Sequence, residues 1–478
     1  MKPTYAMLKS LLKDNNLCSD RSAHISAPTE VVAYGNSPCC STSPITDSRP
    51  TFIDLFAGCG GLSLGLMQAG WDGLFAVEKN ADAFQTLKCN LIDKKRATRF
   101  IWPDWLPIQS HEIGDFINSY REQLAKLEGT VDLIAGGPPC QGFSFAGKRK
   151  ADDPRNKMFE HYTEVVMLVK PKFILLENVG GIAVGFTKKK AEGKQDSTQP
   201  TSTAFSLQIE KALESDYCIY HPHLIRAADY GVAQLRPRYI MIGIRKSFVD
   251  ESLDTDPFKA LQEHREDFLK SKGLPAEPIA LKDAISDLEV HGKKTMECEN
   301  FPGFQQIIYE GPKTDYQRLL HEDLNGTAPN SLRMANHREE TKARFSKILS
   351  ECRKGVQLSR TDREQLKITK LATVPLHPDR PSHTLTTLPD DFLHYSEPRI
   401  LTVREYARIQ SFPDWFEFEG NYTTGGARRI SECPRYTQAG NAVPPFLAEA
   451  IGGALLNIYR MFSSEFEETE LRTTENVN

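Results

Sequence analysis

The chain is predicted to be an α/β protein: a doubly wound, mostly parallel sheet of Rossmann-like type with a smaller, irregular module inserted late. Three observations predict this. Short apolar runs alternate with helical stretches between residues 51 and 244, the runs lead into glycine-rich or polar turns, and the rhythm breaks from about residue 246 to 390 before returning near 401.

The elements follow in order. Residues 51–56 read as a strand opening into the turn Ala57-Gly58-Cys59-Gly60-Gly61, and residues 62–69 as the helix after it. A second strand, 73–78, ends on Glu78 and leads into a helix reaching Asn90. The apolar run 131–135 is a third strand, continued by a polar loop and a helix over 156–169, and residues 172–176 and 238–244 are further strands. Lys188-Lys189-Lys190 opens a polar stretch to Thr203, read as a solvated loop between sheet elements. One helix is expected inside the irregular stretch, over 339–352, and regular structure resumes with 401–410 and an apolar helix over 446–459. Residues 1–48 are rich in Ser, Pro and Thr after a short amphipathic start (Leu8, Leu11, Leu12) and are expected to form a loosely ordered extension. The expected division is 1–48 extension, 49–245 main domain, 246–390 inserted module, 391–462 return to the main domain and 463–478 tail.

At 478 residues the chain has room for two or three cores. No window approaches the roughly 18 apolar residues of a bilayer-spanning helix, and Met1-Lys2-Pro3-Thr4 lacks the apolar core of a signal peptide, so no membrane is expected and the reading is cytoplasmic. Ten cysteines without dense regular spacing argue against a disulfide scaffold. The close pair Cys39-Cys40 has no neighbouring ligand set, so no metal site is expected. A formal net charge of −4 and a pI of about 6.3 show no overall basic footprint, but the field that governs phosphate binding is local, and an acidic exterior can coexist with a basic cleft.

The chemistry concentrates at strand ends. Gly137-Pro138-Pro139-Cys140-Gln141-Gly142-Phe143-Ser144 holds a cysteine on a proline-stiffened loop just after the strand 131–135, where open α/β sheets place reacting groups. Cys140 is therefore a candidate nucleophile; a buried structural cysteine is the bland alternative. The turn Phe56 to Gly61 offers flexible backbone and free N–H groups at a helix start, and Glu78 ends the next strand where a carboxylate binds ribose hydroxyls. Together they favour a nucleoside-containing cofactor, and the turn is not the GxGxxG of dinucleotide enzymes. Glu177 follows the apolar strand 172–176 and is placed to donate a proton. In Gln234-Leu235-Arg236-Pro237-Arg238 two guanidiniums lie two residues apart, so an extended backbone puts them on one face, suited to phosphate or a pyrimidine carbonyl.

These stretches, with Leu401-Thr402-Val403-Arg404-Glu405-Tyr406-Ala407-Arg408-Ile409-Gln410-Ser411-Phe412-Pro413 and Gly440-Asn441-Ala442-Val443-Pro444-Pro445, resemble in order the conserved blocks of DNA (cytosine-5)-methyltransferases of the bacterial restriction-modification type. The resemblance covers roughly residues 51–245 and 380–460. It implies a Rossmann-like methyltransferase domain at 49–245 and a target recognition domain at 246–390, where little matches beyond Arg380-Pro381-Ser382-His383-Thr384-Leu385-Thr386-Thr387.

The resemblance implies that Cys140 attacks carbon 6 of cytosine, that Glu177 protonates the ring, and that Arg238, with Arg236 nearby, binds the base carbonyl and backbone phosphate. Gln141, Ser144 and Gln234 are expected beside the DNA. S-adenosyl-L-methionine is the implied cofactor, held by Phe56, Gly58, Gly60, Glu78, Pro139, Met158, Asn441 and Val443. The family's short acidic turn contacting adenine has no clear counterpart between residues 100 and 107, where Asp104 is the candidate. Double-stranded DNA is the implied partner, bound by a monomer whose target base is flipped out, and a restriction endonuclease is the implied functional counterpart. A tRNA methyltransferase of the same chemistry and a catalytically inactive DNA-binding relative are the alternatives. Gln-Gly-Phe-Ser after Cys140 disfavours the first, and intact Cys140, Glu177 and Arg238 the second. A Rossmann oxidoreductase is rejected on the shape of the glycine turn.

Overall fold

The computed structural model describes residues 49–94, 96, 99–139, 157–183, 204–220, 224–249, 254–324, 326–424, 428 and 431–475, with side chains as far as 462. The extension 1–48 lies outside them. In chain order the sheet half contains β1 (Thr51–Leu55), α1 (Gly61–Ala69), β2 (Asp72–Val77), α2 (Ala81–Lys88), α3 (Ile113–Ala125), β3 (Leu133–Gly136), α4 (Lys157–Val169), β4 (Phe173–Asn178), α5 (Phe205–Leu213), β5 (Tyr217–Tyr220), β6 (Ile225–Arg226) and β7 (Pro237–Arg245). After it come α6 (Pro257–Ser271), α7 (Leu281–Ile285), β8 (Thr295–Glu297), β9 (Gln305–Ile307), α8 (Asp315–His321), α9 (Glu339–Glu351), α10 (Arg360–Gln365), β10 (Val374–Pro375), β11 (Phe392–Leu393), α11 (Val403–Ile409), α12 (Arg435–Asn441) and α13 (Pro445–Glu475).

The strands read as near-continuous apolar runs because both faces of the sheet are covered: Phe52, Ile53, Leu133, Ile134, Phe173 and Leu175 are buried. The strand order is β2-β1-β3-β4-β7-β5, with β6 pairing β7. β1, β2, β3 and β4 run parallel, whereas β7 is antiparallel to both β4 and β5. The sequence rhythm gives the strands but not this reversal, and the reversal has a consequence. The carboxyl ends of β1 to β4 and the amino end of β7 share one edge of the sheet, so Asn178 lies opposite Tyr239.

α13 closes the back of the sheet against α1. A Cβ on Gly65 would lie 2.4 Å from Pro445 O and 2.5 Å from the Cβ of Ala448, so only glycine permits this approach. Trp71 Nε1 donates to Gly452 O (2.9 Å) and completes the seam. The stretch 435–462 is long and apolar enough to cross a membrane, but 72% of its most apolar window is buried inside the protein, as in a core helix.

The segment expected to be irregular begins with a regular 15-residue helix, α6, capped by the Asp256 side chain. α6 packs on α13: Phe268 stands edge-on to Phe446 (centroids 6.5 Å apart), and Lys272 pairs with Glu449 at 2.6 Å. Beyond it, Leu288, Ile307 and Leu332 form one small apolar cluster, and Ile348, Leu358 and Leu393 another. α11 is anchored by a buried ionic network in which Arg408 bonds Asp287 (2.6 Å) and Asp414 (2.7 Å), each with a fully buried side chain. Burial alone would raise the Asp414 carboxyl, but Arg408 and His321 hold it down at about 2.

Candidate active site

At the edge where the strands end, β1 runs into Phe56 (φ 62°), Gly58 (φ 57°) and Gly60 (φ 94°), three left-handed residues in five. A left-handed phenylalanine is strained, and such strain persists where the surroundings fix it. Gly58 N donates to Glu78 Oε2 (2.9 Å) and Asn80 N to Glu78 Oε1 (2.6 Å), so the main chain sets the carboxylate. Among the described residues nothing lies within 4 Å of where a Gly58 Cβ would stand, leaving open space beside that carboxylate. Burial pushes the Glu78 carboxyl up, against the pull of these N–H groups.

Beneath the turn, Asp54 accepts from Ser63 Oγ at 2.5 Å, and its Oδ1 has no hydrogen-bond partner among the described residues. Burial, with a smaller contribution from Glu78, pushes its carboxyl up to about 7. Asp54 was not among the expected site residues; its signal is an acidic residue inside an otherwise apolar strand. The end of α12 reaches the same turn. Val443 O packs where a Gly61 side chain would stand (2.3 Å), and the Asn441 side chain is exposed beside it in sequence. Cys59 Sγ contacts Gln438 O (3.7 Å), which fixes α12 over the turn. Pro139 is exposed at the end of the loop after β3, and Met158 is half-buried in the first turn of α4.

Two strands along the same edge, Glu177 Oε1 meets Arg238 Nε at 2.6 Å, with 13% and 8% of the two side chains exposed. Asn178 Nδ2 donates to Pro138 O (2.8 Å), tying the end of β4 to the Gly-Pro-Pro loop. A Gly137 Cβ would stand 3.2 Å from Glu177 Oε2, so the carboxylate lies over the loop three residues before Cys140. Cys140, Gln141 and Ser144 themselves fall outside the described residues.

Arg236 and Arg238 do not share a face as an extended backbone would give. Arg236 has φ 29°, is 2% exposed, and its Nη2 donates to Asn441 O (3.1 Å) and Ala442 O (2.8 Å). Gln234 is fully buried, donating to Gln410 Oε1 and accepting from Leu385 N, each at 2.8 Å. The structure therefore brings Glu177 and Arg238 together and sets Gln234 and Arg236 apart from them.

The sequence profile of the C-5 cytosine-specific DNA methylases matches residues 50–457. The chain belongs to this family. It is 30% identical over 451 residues to the type II methyltransferase M.XorII of Xanthomonas oryzae, covering 86% of each chain. It is 31% identical over 411 residues to M.DdeI of Desulfomicrobium norvegicum, covering 84% of this chain and 86% of the relative. Among solved structures, a prophage-encoded protein of E. coli named as a DNA modification methyltransferase aligns with a TM-score of 0.58 at 26% identity, over 86% of this chain and 99% of that one. Our chain is thus a DNA (cytosine-5)-methyltransferase on an α/β, mostly parallel sheet.

In this methyltransferase Asp104 is exposed on the turn that follows a stretch running beside β2. The segment containing it pairs with the start of that strand, Ile101 N donating to Gly73 O (2.8 Å) and Trp102 N to Leu74 O (2.9 Å). The chain arrives at the strand's far end only at His111, whose N–H donates to Glu78 O (2.8 Å). Trp102 is a core residue edge-on to Phe84, and Trp105 is half-buried against the core, edge-on to Phe75. Elsewhere, ligand atoms of Cys89, Glu417 and Glu419 cluster within 4.8 Å, with Lys94 already paired to Glu417 at 3.0 Å.

Proposed function

We propose that the enzyme transfers the methyl group of S-adenosylmethionine to carbon 5 of a cytosine flipped out of a specific site in double-stranded DNA, through a covalent bond to Cys140. The observation that carries this reading is the Glu177–Arg238 pair standing beside Gly137, at the start of the Gly-Pro-Pro-Cys sequence. Carbon 5 of a pyrimidine is a poor nucleophile until a thiolate adds at carbon 6 and makes the ring electron-rich. Cys140 forms that bond, Glu177 protonates ring nitrogen 3, and Arg238 holds the base carbonyl while remaining within reach of a phosphate. Once carbon 5 carries the methyl group, it loses its proton to solvent, the nitrogen 3 proton returns to Glu177, and Cys140 is expelled as the aromatic ring is restored. These ring atoms are inaccessible in a stacked duplex, so the base leaves the helix at a cost of a few kcal/mol.

The residues at the glycine turn fit the cofactor: space beside Gly58, and a Glu78 carboxylate with lone pairs left for two ribose hydroxyls. S-adenosylmethionine bound there supplies an electrophilic methyl group. Phe56, Gly58, Gly60 and Glu78 would hold it from one side, Asn441 and Val443 from the α12 side, with Pro139 and Met158 at the loop and α4.

The relatives are named type II methyltransferases of bacteria, and the role proposed with this reading is that of a cytoplasmic monomer modifying host DNA beside a partner restriction endonuclease. Site recognition is assigned to the segment 246–390 beyond α6, where side chains matched to one sequence are free to vary while the chemistry stays fixed. Replacing residues from the end of α6 to 390 with the counterpart from a relative of different specificity should move the methylated site; a chimera that folds and keeps the original site would refute the assignment. Bisulfite sequencing of DNA from a host expressing the protein tests the whole reading. One methylated cytosine context is expected, and unmodified DNA alongside modified tRNA would overturn it.

A further inference from the structure

We infer that Arg236 is a positioning residue: it locks the loop 441–443 against the end of the segment 246–390 and does not touch DNA. Its guanidinium spans three stretches remote in sequence. Nη2 donates to the carbonyls of Asn441 (3.1 Å) and Ala442 (2.8 Å), and Nη1 reaches Gln234 Oε1 (3.4 Å) and Leu385 O (3.5 Å). Gln234 reinforces the junction by accepting from Leu385 N and donating to Gln410, whose own amide donates to Ala439 O (2.7 Å). The backbones are zipped as well: Leu235 N donates to Ser382 O and Ser382 N to Ala233 O, each at 2.9 Å. A Gly440 Cβ would lie 2.4 Å from Thr386 O, so α12 and the run 380–387 touch main chain to main chain.

Two physical points make this a fixed position and not a ligand-seeking side chain. The last carbonyls of α12 lack intrahelical partners, and a buried cation at a helix carboxyl end satisfies them and complements the dipole. Swinging Arg236 out to a phosphate would take from Asn441 O its Arg236 donor and leave Ala442 O only the longer bond from Gln410 Nε2 (3.4 Å), in a part-buried site. The left-handed φ of 29° would also be an unsupported cost if the side chain did not hold it in place. Asn441 and Val443 thereby take their position from Arg236, and a shift of the segment near Leu385 is carried to the cofactor side. This inference rests on the reading of the glycine turn as the cofactor site.

Calorimetric binding of S-adenosylhomocysteine and the salt dependence of binding to a random-sequence duplex, both on the full chain, separate the possibilities. Arg236→Lys, which keeps the charge but cannot fork between two carbonyls, should weaken S-adenosylhomocysteine by about 10- to 100-fold. Arg236→Met, which removes the charge, should leave the log–log salt slope unchanged. Arg238→Met should instead lower the magnitude of that slope by about 0.9, the value of one phosphate contact. Gln410→Met, which loosens the same helix end without altering Arg236, should also weaken S-adenosylhomocysteine. If Arg236→Met lowered the magnitude of the slope while Arg236→Lys spared S-adenosylhomocysteine, Arg236 would be a DNA ligand. If Arg236→Lys lowered only the melting temperature, the residue would be merely structural. Wild-type protein that failed to bind would overturn the cofactor reading and this inference with it, whereas wild-type binding with an unaffected Arg236→Lys would overturn this inference alone.

Discussion

Two carboxylates stand at the same edge of the sheet and are held in opposite ways. Glu78 is fixed chiefly by backbone N–H groups of Gly58 and Asn80, whereas Glu177 is fixed by the guanidinium of Arg238. A carboxylate set by main chain keeps its place whatever neighbouring side chains do, and offers its remaining lone pairs to neutral hydroxyls. One set by an ion pair is held by a partner that can be shared with an incoming base. The first arrangement suits a cofactor that must be bound and released unchanged at that end. The second suits a group that must exchange a proton.

The sharpest way to break this contrast is at the ion-paired end. Cys140→Ala should abolish methyl transfer, and duplex carrying 5-fluorocytosine, whose fluorine cannot leave as a proton, should trap the wild type and not the variant. A covalent complex recovered from the alanine protein would place the nucleophile elsewhere. Next in size, Glu177→Gln keeps the shape but cannot deliver a proton, and turnover should fall by about 10² to 10⁴ with DNA binding little changed. Normal turnover per bound complex, with binding collapsed, would make Glu177 structural.

At the other end the effect should fall on affinity. Glu78→Gln sets an amide N–H₂ against the N–H of Gly58 or Asn80, and S-adenosylhomocysteine should bind about 10- to 100-fold more weakly. The rate of the covalent trap on 5-fluorocytosine DNA at saturating cofactor should change far less, and an equal loss in both would erase the distinction. The smallest effect concerns Asp54, whose folded carboxyl titrates near 7 against an ordinary 3.8. The folded state holds this proton more tightly than the unfolded chain, so the stability it contributes is full below about pH 4 and is lost as the pH rises through 7. Asp54→Asn should flatten the fall in urea midpoint between about pH 4 and 7, and a variant with the wild-type slope would show that Asp54 is already ionised when folded.

Much of this was legible in the sequence because strand ends in an α/β sheet are marked by composition. The apolar runs gave β1, β2, β3, β4 and β7 to within a few residues, and the acidic residues closing β2 and β4 fall where expected. Direction was not legible: the residues of β7 are equally apolar whether the strand runs with β4 or against it, and only the reversal brings Arg238 to Glu177. The fate of Arg236 was hidden for a related reason. Spacing of two assumes extended backbone, and the left-handed residue that breaks it is imposed by Asn441 and Ala442, some 200 positions away. Asp104 was favoured for its charge, but which residue arrives beside Glu78 depends on how many residues the turn at Trp102 to Leu106 consumes. α6 was missed because its mean polarity is that of a surface element, with only Leu261, Phe268, Leu269 and Pro257 buried.

The seam between α1 and α13 has a consequence for synthesis. During translation the glycine-lined face of α1 emerges early, while the helix that covers it is encoded nearly 400 residues later. Trp71 meets Phe173 well before it meets Gly452 and Tyr459, so the nascent chain presents this seam half-covered for most of its synthesis, a surface open to aggregation. A ribosome that stops before Pro445 therefore releases a chain with every reacting side chain and no finished core.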